Sequence, residues 1–108
     1  MDESLKQFMK TKYGKLDLIY DYFNSFYEHK KNYPNNNFML FYEVGSHYEC
    51  YGIDYFDGSQ KIILGNVDEI SKILDFKIAE RSFDSDNPYY QLGFPTYSLN
   101  NQIDKINR

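Results

Sequence analysis

His47, Glu49 and Cys50 fall within four consecutive residues and are the closest grouping of side chains that could do chemistry. A thiol beside an imidazole could act as a nucleophile, but such a pair needs a third group that orients the imidazole, and none is evident. A zinc site built on His47 and Cys50 would need carboxylates, because His29 is the one other histidine. We therefore predict a buried, inert thiol, and no catalytic residue, metal or cofactor.

Binding is a second use for the same residues. One residue separates His47 from Glu49, so in an extended segment both side chains point to the same face. A polar pair of this kind is commonly an ordinary part of the surface, and that alternative stays open. Other candidates for contacts to bases or phosphates are tyrosines and lysines that packing or a solvated helix face explains equally well: Tyr20, Tyr22, Tyr27, Tyr42, Tyr48 and Tyr51, and Lys6, Lys10, Lys12 and Lys15.

The amino-acid composition limits the functions that the chain can have. Lys and Arg total 12 against 16 Asp and Glu, so the net charge is -4. Because phosphate neutralisation supplies most non-specific affinity, this charge predicts weak DNA binding by the isolated chain. The single cysteine excludes an intrachain disulfide and favours an intracellular, reducing compartment, whether viral, mitochondrial or cytoplasmic. No apolar run reaches the length of a membrane span, so no membrane partner is predicted.

The elements that would position these residues follow from periodicity and turn signals. Helices are predicted at Glu3–Lys12, at Leu16–Lys31, after a cap at Asn66 or Asp68, and after a cap at Ser98. Strands are predicted at Phe38–Val44 (buried and central), Lys61–Leu64, Phe76–Arg81 and Tyr89–Leu92, and Ser46–Tyr51 is predicted to be either a strand or a strand-to-turn segment. Turns or loops are predicted at Gly52–Gly58, Ser82–Pro88 and Gly93–Pro95. This order predicts an α/β (α+β mixed) fold, with a mixed β-sheet covered by helices.

Three segments, in order, resemble the N-terminal mismatch-recognition domain of the MutS family. They are Phe38–Glu49, similar to L-F-Y-x-x-G-D-F-Y-E; Asp68–Ile78, similar to A-x-x-L-D-I-x-L; and Pro88–Leu99, similar to P-x-M-A-G-x-P-x-H-x-L. The segments Tyr51–Asp54 and Gly65–Val67 are similar to the branch found in large DNA viruses and some mitochondria. Each motif alone is weak, and their shared order and spacing give the resemblance its weight.

The resemblance implies a non-catalytic DNA-binding module for mismatch repair. In that family an aromatic ring wedges beside the mispaired base from the minor groove, and a glutamate hydrogen-bonds to that base. The wedge position falls on His47, where the family has Phe, and the carboxylate on Glu49. Ser46 stands where the family has an acidic residue, and Arg81 falls where it often has a basic one. The implied partner is double-stranded DNA that contains a mismatch.

The resemblance also implies a domain organisation. Residues 1–15 are predicted to form an N-terminal helical extension, and residues 16–108 a MutS N-terminal mismatch-binding-like domain that lacks the family's last strand. An exposed sheet edge is then expected along Lys61–Leu64 or Phe76–Arg81. The chain has no G-x-x-x-x-G-K-[ST] motif, so ATP binding would belong to the full-length family. Further partners would be other MutS domains or a MutS-type dimer partner. The alternative is a structural or protein-interaction domain that kept the fold but lost DNA recognition.

Overall fold

The computed structural model describes residues 1–82 and 87–108. In chain order the elements are α1 (Glu3–Tyr13), α2 (Asp17–Asn32), β1 (Tyr42–Val44), β2 (His47–Asp57), β3 (Gln60–Leu64), α3 (Val67–Leu74), β4 (Ala79–Ser82), β5 (Pro88–Pro95), a 3₁₀ turn (Thr96–Ser98) and α4 (Leu99–Ile106). The predicted α/β (α+β) class is confirmed. The loop predicted between β4 and β5 includes residues 83–86, which lie outside the described residues.

The sheet is built around β2. The first half of β2 pairs with β1 and β5, its second half pairs with β3, and β4 pairs with β5. Each of these pairings is antiparallel, so the prediction of a mixed sheet is wrong. Tight turns at Gly45 and Gly58, which have φ angles of 59° and 66°, join β1 to β2 and β2 to β3. A turn this short can only reverse the chain, which makes neighbouring strands antiparallel.

The strand predicted at Phe38–Val44 is wrong in length and in place. The strand β1 holds only the last three residues of this run and pairs with β2 alone within the described chain, so it is an edge strand. The first four residues are partly buried but irregular. Their groups bind other elements: the carbonyl of Leu40 accepts a hydrogen bond from the Tyr22 hydroxyl at 2.8 Å, and the Phe41 ring packs on Phe94. The predicted packing of the second helix beside this run is confirmed.

Two glycines that predicted turns lie inside strands instead. The strand β2 continues through Gly52, where the turn Gly52–Gly58 was predicted, and β5 continues through Gly93. At Gly52 an added Cβ would lie 2.5 Å from Cγ1 of Val67, so this glycine allows α3 to approach the sheet closely. Glycine is therefore required at this position by the packing of α3 and not by a turn.

The strand predicted at Phe76–Arg81 begins only at Ala79. Ser71 in α3 uses both backbone groups of Phe76: the Phe76 amide donates to the Ser71 carbonyl at 3.3 Å, and the Ser71 hydroxyl donates to the Phe76 carbonyl at 2.6 Å. Backbone groups that cap a helix in this way cannot join a sheet ladder.

Helices cover both faces of the sheet. On one face the ring of Tyr51 packs on Tyr22 of α2, with centroids 5.1 Å apart, and Phe8 of α1 packs on Tyr55. The other face carries α3 and α4. The largest fully buried side chains belong to both layers and to the sheet: Tyr22, Tyr51, Phe23, Met9, Ile19, Ile53, Ile70, Leu74, Leu92, Val67 and Cys50. Within the described residues, no helix is long and apolar enough to cross a membrane.

Candidate nucleic-acid interface

An open cleft of about 340 Å³ lies across β2, β5 and the start of β4. Within β2, His47, Glu49 and Tyr51 alternate with their neighbours and therefore point to one face of the sheet. Tyr51 is covered by α2 and is only 1% exposed, whereas His47 is exposed. The helix thus covers one end of this face and leaves the other end open. The lining residues are His47, Glu49, Lys77, Ala79, Arg81, Gln91, Leu92 and Gly93.

Two small residues create the concavity. Gly93 of β5 lies opposite Glu49, and Ala79 of β4 lies opposite Gln91. An added Cβ at Gly93 would come within 3.1 Å of Cγ of Glu49 and 3.0 Å of the Tyr48 carbonyl oxygen. The missing side chain therefore gives the Glu49 carboxylate its space, and longer side chains on three strands form the walls.

The carboxylate of Glu49 is held in place by a hydrogen bond from a neighbouring side chain of β2. The Tyr51 hydroxyl donates a hydrogen bond to Oε2 of Glu49 at 2.6 Å. Burial raises the pKa of Tyr51 far above its ordinary value, and the hydrogen bond to Glu49 and the charge of its carboxylate raise it further. Tyr51 thus keeps its proton and stays a donor at any ordinary pH. With one oxygen fixed, Oε1 is the acceptor that Glu49 can offer to a ligand.

The cleft is locally more positive than the chain. Lys77 and Arg81 supply two positive charges against the one negative charge of Glu49, which leaves +1 with His47 neutral. The whole chain carries -4. Nε of Arg81 donates to Oε1 of Gln91 at 3.1 Å, which fixes the guanidinium at the wall of the cleft. Both cations are exposed, so they can contact an anion without losing much of their hydration.

His47 stands at the rim, where the turn after β1 enters β2. Oγ of Ser46 lies 3.2 Å from Nδ1 of His47, and the Ser46 carbonyl accepts a hydrogen bond from the Thr96 amide at 2.9 Å. Ser46 is exposed and does not line the cleft, but it contacts the ring that does. The turn therefore presents an exposed imidazole on a backbone that is paired with β1 and β5.

The structure brings together His47, Glu49 and Arg81, and places Ser46 next to them. The sequence did not predict a role for Lys77. Lys77 precedes β4 and lies far from His47 in sequence, so only the pairing of β4 with β5 brings it to the cleft. Gln91 and Gly93 were covered by the third segment of the MutS resemblance, without a role assigned to either.

Cys50 is separated from this cleft by the sheet itself. It follows Glu49 and so points to the opposite face, where its side chain is fully buried. Burial raises the pKa of the thiol from its ordinary value of 9.0 to about 12, and the nearby charge of Glu49 adds to the shift. The predicted buried thiol is confirmed, and a thiolate nucleophile is disfavoured. Across residues 1–82 and 87–108, no group of three or more His, Cys, Asp or Glu side chains is arranged to hold a metal ion.

Comparison of the sequence with models of known protein families, and with curated proteins, gives no match. The function of the chain is therefore inferred from the geometry and charge of the cleft, together with the sequence motifs.

Proposed function

We propose that the chain is a non-catalytic DNA-binding module that recognises mispaired duplex through the cleft. One observation carries the proposal: the fold brings His47, Glu49 and Arg81 to a single open cleft. These are residue types suited to stacking on a base, accepting a hydrogen bond from it and contacting phosphate.

Each side chain has a role that its position allows. The exposed imidazole of His47 stacks on a base that a mismatch has partly unstacked, since unstacking costs less there. Oε1 of Glu49 accepts a hydrogen bond from that base, while Tyr51 holds Oε2. Arg81 and Lys77, at the opposite wall, contact the phosphates. Because the fixed carboxylate repels phosphates, regular duplex binds less well than duplex that can open toward it.

The overall charge sets the affinity. With a net charge of -4, the isolated chain gains little from counterion release. We expect dissociation constants near the non-specific range of roughly 10⁻⁴ to 10⁻⁶ M at physiological salt. Discrimination between mismatched and matched duplex is therefore a better measure of function than affinity.

The test is a titration of fluorescently labelled duplexes, with and without one mismatch, followed by anisotropy. The parent chain should prefer the mismatched duplex. Glu49→Gln should reduce this preference by strengthening binding to the matched duplex, because the variant removes the repulsion. Glu80→Gln is the matched control: Glu80 is exposed on β4 but faces the other side of the sheet. Equal binding of both duplexes by the parent chain would contradict the proposal, and nanomolar affinity would contradict the electrostatic argument.

The ring at position 47 gives a second test. His47→Phe should raise the mismatch preference, because Phe is a larger apolar wedge. Ionic strength must stay constant, because the phosphate contacts are sensitive to salt. If the variant and the parent show the same mismatch preference, His47 does not contact DNA.

A protein-interaction domain is the second candidate function. The observation that favours it is a set of isoleucines on α3 and α4 that are between 38% and 46% exposed: Ile73, Ile103 and Ile106. Together with the acidic net charge, this surface suits a partner other than DNA. Failure of both DNA tests would make this the better function.

A further inference from the structure

A second concavity lies on the other face of the sheet, between α3, α4 and the segment before β1. We call it the α3–α4 groove. Its volume is about 470 Å³, within the range of small-molecule sites. The lining is mainly aliphatic and aromatic, with polar groups at a few points: Asn37, Phe38, Met39, Phe41, Asn66, Glu69, Ile73, Phe94, Leu99, Gln102, Ile103 and Ile106.

Two side-chain amides in this lining have oxygen atoms that accept no hydrogen bond from the described residues. Nδ2 of Asn66 donates to the Phe38 carbonyl at 2.7 Å, and Nε2 of Gln102 donates to Oγ of Ser98 at 3.4 Å. Their oxygens, Oδ1 of Asn66 and Oε1 of Gln102, are buried and have no hydrogen-bond partner among the described residues. Gln102 is only 6% exposed. A buried acceptor without a donor costs about 1–3 kcal/mol, a cost that a ligand with an N–H or O–H group would relieve.

The charges in the groove further limit the class of ligand that it could bind. Glu69 is the one ionisable side chain among the described residues that line it, and it is exposed at the rim. No Lys, Arg or His of the described chain contributes to the lining. Three phenylalanine rings do, and the faces of such rings attract cations. The groove thus offers acceptors, a carboxylate and aromatic rings, which disfavours an anion and favours a cation.

We propose that the α3–α4 groove binds small organic amines, with an alkyl or aryl body against the apolar lining and an ammonium group toward Glu69, Asn66 and Gln102. The Glu69 carboxylate pairs with the ammonium, whose N–H groups are the kind of donor that the two buried amide oxygens lack. This site lies across the sheet from the cleft and is independent of DNA binding.

The test compares three probes with the same alkyl chain: octylamine, octanol and octanoate. Each is titrated into the full chain at pH 7 and constant ionic strength, below the concentration at which it aggregates, and binding is followed by ¹H–¹⁵N NMR. Octylamine should bind most tightly, with shifts confined to α3, α4 and the segment before β1. Octanoate should bind at least about tenfold more weakly, because it has no donor and is repelled by Glu69. Equal or tighter binding of octanoate would overturn the proposal.

Three variants locate the site. Ile103→Lys places a cation in the groove at a side chain that is already 40% exposed, so the fold should persist while octylamine binding is lost. Leu18→Lys is the matched control, since Leu18 is 36% exposed on α2, in the layer across the sheet, and should leave binding unchanged. Glu69→Gln should bring octylamine and octanol toward equal affinity. If Ile103→Lys binds octylamine like the parent, or if Leu18→Lys loses binding equally, the amine adsorbs elsewhere and the proposal fails.

Discussion

The cleft and the α3–α4 groove are two concavities on opposite faces of one sheet, and the ligands that we propose for them carry opposite charges. The cleft exists because small residues, Gly93 and Ala79, leave space among charged side chains, and no helix of the described part of the chain covers them. The groove exists because two helices stand apart over rings and leave apolar side chains exposed. The net charge of -4 therefore describes neither site. The cleft has a local charge of +1, and among the described residues that line the groove the one ionisable group is a carboxylate.

The largest effect should come from filling space under α3. In Gly52→Ala the new Cβ would lie 2.5 Å from Cγ1 of Val67, a side chain that is 1% exposed and has no room to move. We expect a loss of about 1–3 kcal/mol in the free energy of unfolding. Gly93→Ala should cost less, because its closest side chain, Glu49, borders the open cleft. Urea unfolding of both variants measures the difference, and a larger loss at Gly93 would reverse the contrast between a closed and an open face.

Charge reversal should separate the two sites by ligand. Arg81→Glu combined with Lys77→Glu removes both cations of the cleft, so DNA binding should weaken about tenfold or more and its salt dependence should flatten. Octylamine binding should not change. Glu69→Lys is the matched reversal in the groove, and it should weaken octylamine binding while leaving mismatch preference intact. Anisotropy and NMR titrations on the same samples decide the matter, and a loss of both activities from one reversal would show that the sites are not independent.

Alkaline pH should test how firmly the face with α3 and α4 is sealed. Because folding raises the pKa of Cys50 from 9.0 to about 12, the folded chain keeps a proton that the unfolded chain loses. The stabilising effect of the Cys50 thiol is complete below pH 9 and is lost as the pH rises toward 12, and its share of the loss is about 1 kcal/mol between pH 8 and 10. Tyrosines whose pKa burial also raises add a loss that is the same in parent and variant: Tyr22, Tyr27, Tyr51 and Tyr90. Cys50→Ala should unfold more easily overall but lose less stability over this interval. An equal loss in parent and variant would show that Cys50 contributes none of it.

The smallest effect concerns the support of Glu49. Tyr51→Phe removes the 2.6 Å hydrogen bond to the carboxylate while keeping the ring against Tyr22, so the free energy of unfolding should fall by about 0.5–1.5 kcal/mol. The preference for mismatched duplex should also decrease, because a mobile carboxylate accepts a base less selectively. Tyr90→Phe is the control, since its hydroxyl donates to Asp54 at 3.0 Å, outside the cleft lining. A change in preference that is equal in the two variants would argue against a positioning role for Tyr51.

The helices could be predicted from the sequence because their information is local. The period of apolar residues predicted Leu16–Lys31, and the helix runs over Asp17–Asn32. The strands depended on tertiary contacts. The run that starts at Phe38 is apolar enough for a central strand, yet its rings pack on neighbouring elements and its backbone leaves the ladder. Gly52 begins a segment whose composition is typical of a turn. In the structure it instead allows close contact with α3, a helix that comes later in the chain.

The residues of the candidate site also divide into those that local sequence predicts and those that depend on tertiary contacts. His47 and Glu49 are neighbours on one strand, so their shared face could be predicted from spacing alone. Arg81 came from the family resemblance and not from any local pattern. Lys77 could not be predicted at all, because its place depends on the register of β4 against β5. The resemblance to the MutS family itself stays a prediction, as does the boundary between residues 1–15 and 16–108.

The position of β2 has a consequence for the time course of folding. Its pairings with β1 and β3 join segments that follow each other directly, and such hairpins form in about 1–10 μs. Its pairing with β5 brings Glu49 to Gly93 and must close a much longer loop, which slows the step. A chain stopped at the hairpin stage would already present His47 on its turn, without a cleft beside it. In a refolding experiment, the signal of strand formation should therefore precede the recovery of mismatch preference.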